Sequence, residues 1–245
     1  MAYKEDIDLE ILAHCSNDEL GTLVTLLQKE ARMTERLSSN AMYIKYNPNH
    51  IRYWKKIAEE IQLFGGNSFM NIMRGEGVLY KEICHDVAEK LQIPSSPHES
   101  TIQLEARIVL TLFEQAMRSM SEEERAQCIE TLSQETNSQG SILGQTALQG
   151  GIHTDTIPPY QIYNIIAGAI GKQILGQGII FMGSVALTRV IGALAGPIGW
   201  TLASLWALVD IASPAYRITI PAVAFIASFR QRIYMQQALD KDSSL

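Results

Sequence analysis

Apolar residues in this chain recur at three- and four-residue steps, the period of a helix with one buried face. Ser16 and Glu19 have the spacing of a capping box. Leu20, Leu23, Val24 and Leu27 follow on one face and predict a helix from about residue 17 into the 34–37 region. Asn47-Pro48-Asn49 is a turn signal. Beyond it Tyr53, Trp54, Ile57, Ile61 and Phe64 predict a second helix, stopped by Gly65-Gly66. After a short glycine-bracketed segment, 67–74, the positions Val78, Leu79, Ile83, Val87 and Leu91 predict a third, closed by Ile93-Pro94 and the loop Ser95-Ser96-Pro97. Ser100 with Gln103 and Ser121 with Glu124 repeat the capping-box spacing. Ile102, Ala106, Val109, Phe113 and Met117 mark the first of these helices, and the second runs through Cys128 to about Leu132. The β-branched run Arg217–Ile220 is too short for a strand, and Pro221 follows it directly.

The pattern changes in the last third. From Ile174 to Val209 the one charged residue is Arg189. Gly192, Gly196-Pro197 and Gly199 interrupt the run and predict two helices, roughly 160–195 and 198–211, joined by a tight turn. The small residues Gly176, Gly178, Gly183 and Ala186 on the first arm permit close helix approach. The expected fold class is therefore all-α, a helical bundle with a C-terminal apolar helical hairpin. Its expected domains are an acidic helical domain over 1–135, a linker over 136–159 rich in Asn, Ser, Gln and Gly, and an apolar hairpin with a C-terminal helix over 160–245.

A bilayer span needs about 20 apolar residues, and Arg189 at mid-bilayer costs about 2.5–3.5 kcal/mol. Neither arm is a comfortable span alone. Burial inside a bundle satisfies the pattern. So does membrane association, which the basic residues Lys172, Arg217, Arg230 and Arg232 beside the apolar block favour.

Charge divides the chain in the same place. Residues 161–245 hold six basic and three acidic side chains, whereas residues 1–160 hold 14 and 23, so the front is −9. Phosphate backbones repel such a front, which argues against nucleic acid as partner. Cys15, Cys84 and Cys128 are widely spaced, which argues against a disulfide framework and a cysteine zinc site and fits a reducing compartment. Met1–Glu10 is acidic and lacks the basic-then-apolar pattern of a secretory leader, so the expected place is the cytosol or the cytosolic face of a membrane.

Motifs for catalysis fail one by one. Gly171-Lys172 has Ile166 where a phosphate-binding loop needs glycine and Gln173 where it needs a hydroxyl. Gly75 and Gly77 precede a helix, but Tyr80 occupies the third glycine position of a dinucleotide fingerprint. Ser68 sits in half a nucleophile elbow, with Met70 in place of the closing glycine. Glu82 and His85 have the spacing of a di-iron ligand pair without its second half. No cofactor, no metal and no catalytic residue is expected.

Three groups of residues carry a resemblance: Leu9–Leu12 through His14-Cys15-Ser16 with Glu19-Leu20; Phe64-Gly65-Gly66, Arg74-Gly75 and Gly77 through Leu79-Tyr80; and Ala215-Tyr216-Arg217 with Thr219–Val223. As a set they resemble the bacterial YaaW-like family, which is grouped with the mitochondrial ubiquinol-cytochrome c chaperones. The likeness to the chaperones covers about residues 50–150, with no counterpart for the apolar hairpin. It implies a binding role without catalysis, in which a helical domain helps new membrane-protein subunits reach their complex.

Within these groups Gly65, Gly66, Gly75 and Gly77 would let the backbone turn sharply or approach another element closely, beside the ordinary alternative of helix capping. Arg74 offers a forked donor to a carboxylate or headgroup, and Arg217 would hold the last helix or sit at a membrane surface. With Tyr80, Arg189 and Pro221 they are the candidate contacts for a partner or membrane. The expected function is a non-enzymatic binding protein at the inner face of a membrane, with a protein partner on the acidic front and lipid or client on the hairpin. A membrane-inserting effector that releases the hairpin, and an enzyme with an unrecognised site, are the alternatives.

Overall fold

A computed structural model of the chain describes residues 3–30, 36–65, 77–138, 159–176, 191–193, 195–197, 199 and 215–242. Among them every regular element is helical and none is a strand, so the fold is all-α. Gly66, Arg74, Gly75, Arg189, residues 139–158 of the expected 136–159 linker and most of the second hairpin arm lie outside the described residues, while the linker's expected ends, 136–138 and Pro159, are helical.

The helices in chain order are α1 (Asn17–Glu30), α2 (Arg36–Ser39), α3 (Ala41–Tyr46), α4 (Trp54–Phe64), α5 (Tyr80–Lys90), α6 (Thr101–Arg118), α7 (Glu122–Ser138), α8 (Pro159–Leu175) and α9 (Tyr216–Asp242). All three capping boxes form. Ser16 N–H donates to Glu19 Oε2 at 2.7 Å, Ser100 N–H to Gln103 Oε1 at 3.1 Å and Ser121 N–H to Glu124 Oε2 at 2.9 Å, while each serine hydroxyl receives the amide three residues on. α7 runs past the expected stop at Leu132 to Ser138, because no glycine or proline intervenes before Gly140.

Two compact units divide the chain, one of residues 1–108 with 209–245 and one of 109–208. In the first, α9 packs against α1, α4, α5 and the 3-10 turn Glu10–His14. Every residue of α9 from Ile218 to Arg230 is buried, including Pro221, which has no amide for the helical ladder. Apolar side chains on all sides of this stretch make it a central helix rather than a surface one. The end of α5 carries a signal that glycine-based reading misses. Gln92 adopts φ +59°, and Ile93 N–H reaches Ala88 O at 2.8 Å while Gln92 N–H reaches Glu89 O at 2.9 Å, a Schellman closure built without glycine.

In the second unit α8 begins where the first hairpin arm was expected but stops at Leu175, well short of residue 195. Gly176 takes φ +71° and its amide bonds Lys172 O at 3.2 Å, the left-handed end that glycine adopts without steric cost. A Cβ on Gly168 would lie 2.8 Å from Ile191 Cδ1, so the absence of a side chain there permits close approach.

Gly65 is in the first unit, where it caps the end of α4 with its amide on Gln62 O at 3.3 Å and also permits close contact. Its φ of −75° and ψ of 159° suit any residue, but a Cβ would fall 2.4 Å from both Ile83 Cγ1 and Val78 Cγ2. Gly65→Ala therefore overpacks the core and lowers stability by about 1–3 kcal/mol in a thermal or urea melt. Gly196→Ala, where nothing lies within 4 Å, serves as the comparison and changes stability much less.

Candidate functional site

The groups that sequence reading treated separately meet around α9. Arg230, 4% exposed, donates from Nε to Glu105 Oε2 at 2.9 Å and from Nη2 to both Glu105 Oε1 at 3.3 Å and Asp8 O at 2.7 Å. The Tyr80 hydroxyl donates to Glu105 Oε1 at 2.9 Å. Two residues beyond Arg230, Arg232 donates to both Glu19 oxygens, at 2.5 and 2.8 Å, while Glu19 keeps its capping bond to Ser16. Each guanidinium thus presents its planar fork to one carboxylate.

The N-terminal segment supplies the outer ring of this frame. Asp6 is buried, and its Oδ2 receives Tyr80 N–H at 2.6 Å, an acceptor for one of the unsatisfied amides that open α5. Its Oδ1 receives Asp8 N–H at 3.0 Å, and Asp8 Oδ2 receives the Thr101 hydroxyl at 2.6 Å. Gln62, at the end of α4, clasps the same strand of chain, receiving Lys4 N–H at 3.2 Å and donating to Lys4 O at 2.9 Å. The segment from Lys4 to Glu19 is stitched in this way to α4, α5, α6 and α9.

Burial sets the electrostatics. It raises the Glu105 carboxyl above the ordinary carboxylate range, and the charge and hydrogen bonds of Arg230 and Tyr80 hold that rise back. For Arg230 burial opposes the charge, but Glu105 outweighs it and the proton is held more tightly than in water. Burial also lifts Tyr80 and Cys84 far above their usual values, pushes the Cys128 thiol up to about 11 and the Tyr53 phenol up to about 12, and raises Cys15. All three cysteines are free and buried. Tyr80, Glu105 and Arg230 spend their polar atoms on one another and on the Asp8 carbonyl, which makes them a structural frame, and burial by itself makes the three thiols poor nucleophiles.

The sequence candidates fall into place around it. Tyr80 is wholly buried inside the frame, Pro221 is buried in α9, and Gly65 is buried at the end of α4. Gly77 is half-buried where a Cβ would stand 2.6 Å from Gln62 Cβ. These are interior packing positions, and Arg217 alone of the described candidates is exposed. Arg230 and Arg232, expected beside a membrane, turn inward to carboxylates instead. Glu105, Asp6, Asp8 and Gln62 were missed. Their signal was an arginine within an apolar helix, which demands a buried acid, but nothing in the spacing names which one. Glu82 is exposed, and His85 Nδ1 meets Ser95 Oγ at 3.0 Å rather than a metal partner. Among the described residues no three potential ligands gather as a metal site.

Fold and frame define a helical protein whose larger part, residues 49–225, matches the family model described as ubiquinol-cytochrome C chaperone. That span is longer than the expected 50–150 and takes in the apolar region that had been given no counterpart. Residues 3–31, which hold most of the outer ring, match a second model, the domain of unknown function DUF3944. The chain is 36% identical to a UPF0174 protein of Helicobacter pylori strain J99 over 100% of this chain and 98% of that one. It is 34% identical to a UPF0174 protein of Helicobacter pylori strain 26695, over 82% and 99% of the two chains. With the UPF0174 protein YaaW of Escherichia coli strain K12 it shares 29% identity over 96% and 98%. The chain belongs to the UPF0174, YaaW-like family. No solved structure matches it.

Two outcomes follow from the frame. Arg230→Met strands Glu105 in the core and costs about 3–5 kcal/mol in a urea melt, and most of the loss returns when Glu105→Leu is added. In the native state the raised thiols and phenols keep protons that the unfolded chain releases near the ordinary values of 9.0 and 10.0. Stability is therefore retained below pH 9.0 and declines as pH rises from there toward the raised values. Thermal midpoints measured across that range fall with increasing pH, while Ellman's reagent reacts slowly with native protein and rapidly after denaturation.

Proposed function

We propose that this chain is a non-enzymatic helical binding protein that assists the assembly of a membrane protein or membrane-bound complex at the inner face of a membrane. The match of residues 49–225 to the ubiquinol-cytochrome C chaperone model carries this reading. The buried frame supports it from the chemical side, since the ionisable groups gathered there bind one another and rigidify a scaffold. On this reading the first unit presents that scaffold to a protein partner, and the uncharged run on either side of Arg189 supplies contact with lipid or an apolar client. Among the described residues no helix is long and apolar enough to cross a membrane, and most of the apolar run lies outside them, so the reading covers peripheral and integral contact alike.

Loss of the chain from its cell is expected to lower the amount of at least one assembled membrane complex on native gels, with its unassembled subunits still synthesised. A tagged full-length chain is expected in the membrane pellet at low salt and to crosslink to one of those subunits. An unchanged set of membrane complexes together with an accumulating small metabolite would favour an enzyme and overturn the assembly reading.

A further inference from the structure

We propose that the surface made by α3 and the following 3-10 turn, His50–Tyr53, docks on a bilayer containing anionic lipid. The proposal rests on the membrane half of the function above and names the element that makes the contact.

α3 buries none of its residues. A six-residue helix is too short to persist unaided. It is nevertheless held firmly. The Asn40 side chain caps it by receiving Met42 N–H at 2.9 Å. On its inner side the Tyr43 ring meets Tyr53 edge-on at 5.7 Å and its hydroxyl receives Gln28 Nε2 at 2.7 Å. Asn17 ties the turn beyond it, donating to Pro48 O at 3.0 Å and receiving His50 N–H at 2.7 Å.

What this anchored hairpin presents outward is apolar. Ile44 is 68% exposed, Ile51 46% and Met42 38%. Lys45, Arg52 and Lys55 are exposed alongside them. Lys55 Nζ lies over the Trp54 and Tyr3 rings at 5.5 and 5.8 Å, an aromatic and cationic pairing suited to the headgroup layer.

Charge selects the occupant. Residues 36–58 contain Arg36, Lys45, Arg52, Lys55 and Lys56 and no acid, although the first 160 residues are −9 overall. Lys56 is engaged by Glu59 at 2.6 Å, so the outward charge is that of Lys45, Arg52 and Lys55. An anionic surface repels the rest of the front and attracts this face, which orients the chain. Isoleucine and methionine side chains standing among lysine and arginine then enter the acyl boundary while the cations remain with phosphate.

The test uses the full-length chain and vesicles of roughly one third phosphatidylglycerol in phosphatidylcholine, with pure phosphatidylcholine as the contrast. The chain is expected to pellet with the anionic vesicles and to be released by salt. Lys45→Gln with Arg52→Gln lowers the partition coefficient about 25-fold, about fivefold for each cation. Ile44→Ser with Ile51→Ser, which alters exposed positions only, abolishes pelleting while circular dichroism stays unchanged. A polarity-sensitive dye on Ile44→Cys, selective because the native cysteines are buried, shifts to the blue on vesicle addition.

Pelleting that survives both double variants, or a dye that stays in water while the chain pellets, overturns the docking surface and leaves the membrane reading standing. Absence of pelleting with every vesicle overturns both the docking surface and direct lipid contact. A dye that responds to an added acidic protein and not to vesicles assigns the face to a protein partner and overturns the proposal as well.

Discussion

A buried guanidinium is costly to remove from water, and the first unit is organised around offsetting that cost at Arg230, a residue only 4% exposed. Glu105 receives two of its donors, the Asp8 carbonyl receives another, and Tyr80 adds a third donor to the carboxylate, at Oε1. Because the four residues come from distant stretches of chain, satisfying one charge fixes the relative placement of α5, α6, α9 and the N-terminal segment. Apolar packing around α9 tolerates small slides; a forked ion pair with a tyrosine on its flank does not.

The family boundaries acquire a physical meaning from this frame. Residues 3–31 match one model and 49–225 another, but in the structure the first segment is hydrogen-bonded to the helices of the second. Its carboxylates are used by Tyr80, Thr101 and Arg232, the Asp8 carbonyl by Arg230, and Lys4 is clasped by Gln62. Arg230 and Arg232 lie beyond residue 225, so the last turns of α9 tie the N-terminal segment to the chaperone-type region. On the proposed reading as a binding protein, such a chain keeps a rigid interior and leaves recognition to its surfaces.

Those surfaces are unevenly charged. The acidic front carries a stretch without acids over 36–58, and Met42, Ile44 and Ile51 stand outward within it. Arg230 and Arg232, which by position alone looked like flanking cations of an apolar block, are neutralised internally. The proposed membrane contact thereby moves from the end of the apolar run to the α3 hairpin, with the uncharged region around Arg189 left for an apolar client or lipid.

The sequence by itself determined the elements. Capping boxes at Ser16, Ser100 and Ser121, the turn at Asn47-Pro48-Asn49 and the helical spacing of apolar residues were legible because each depends on neighbours a few positions apart. The family resemblance was legible for the same reason, as short strings of residues. Tertiary structure alone decided that Gly65 is a packing position, that Tyr80 and Pro221 are interior, and that Glu105 and Glu19 are the acids facing Arg230 and Arg232. Arg230 and Glu105 are 125 residues apart, and no local periodicity encodes which buried acid answers which buried base. Desolvation makes such a pairing obligatory, but only the packing of helices chooses the partners.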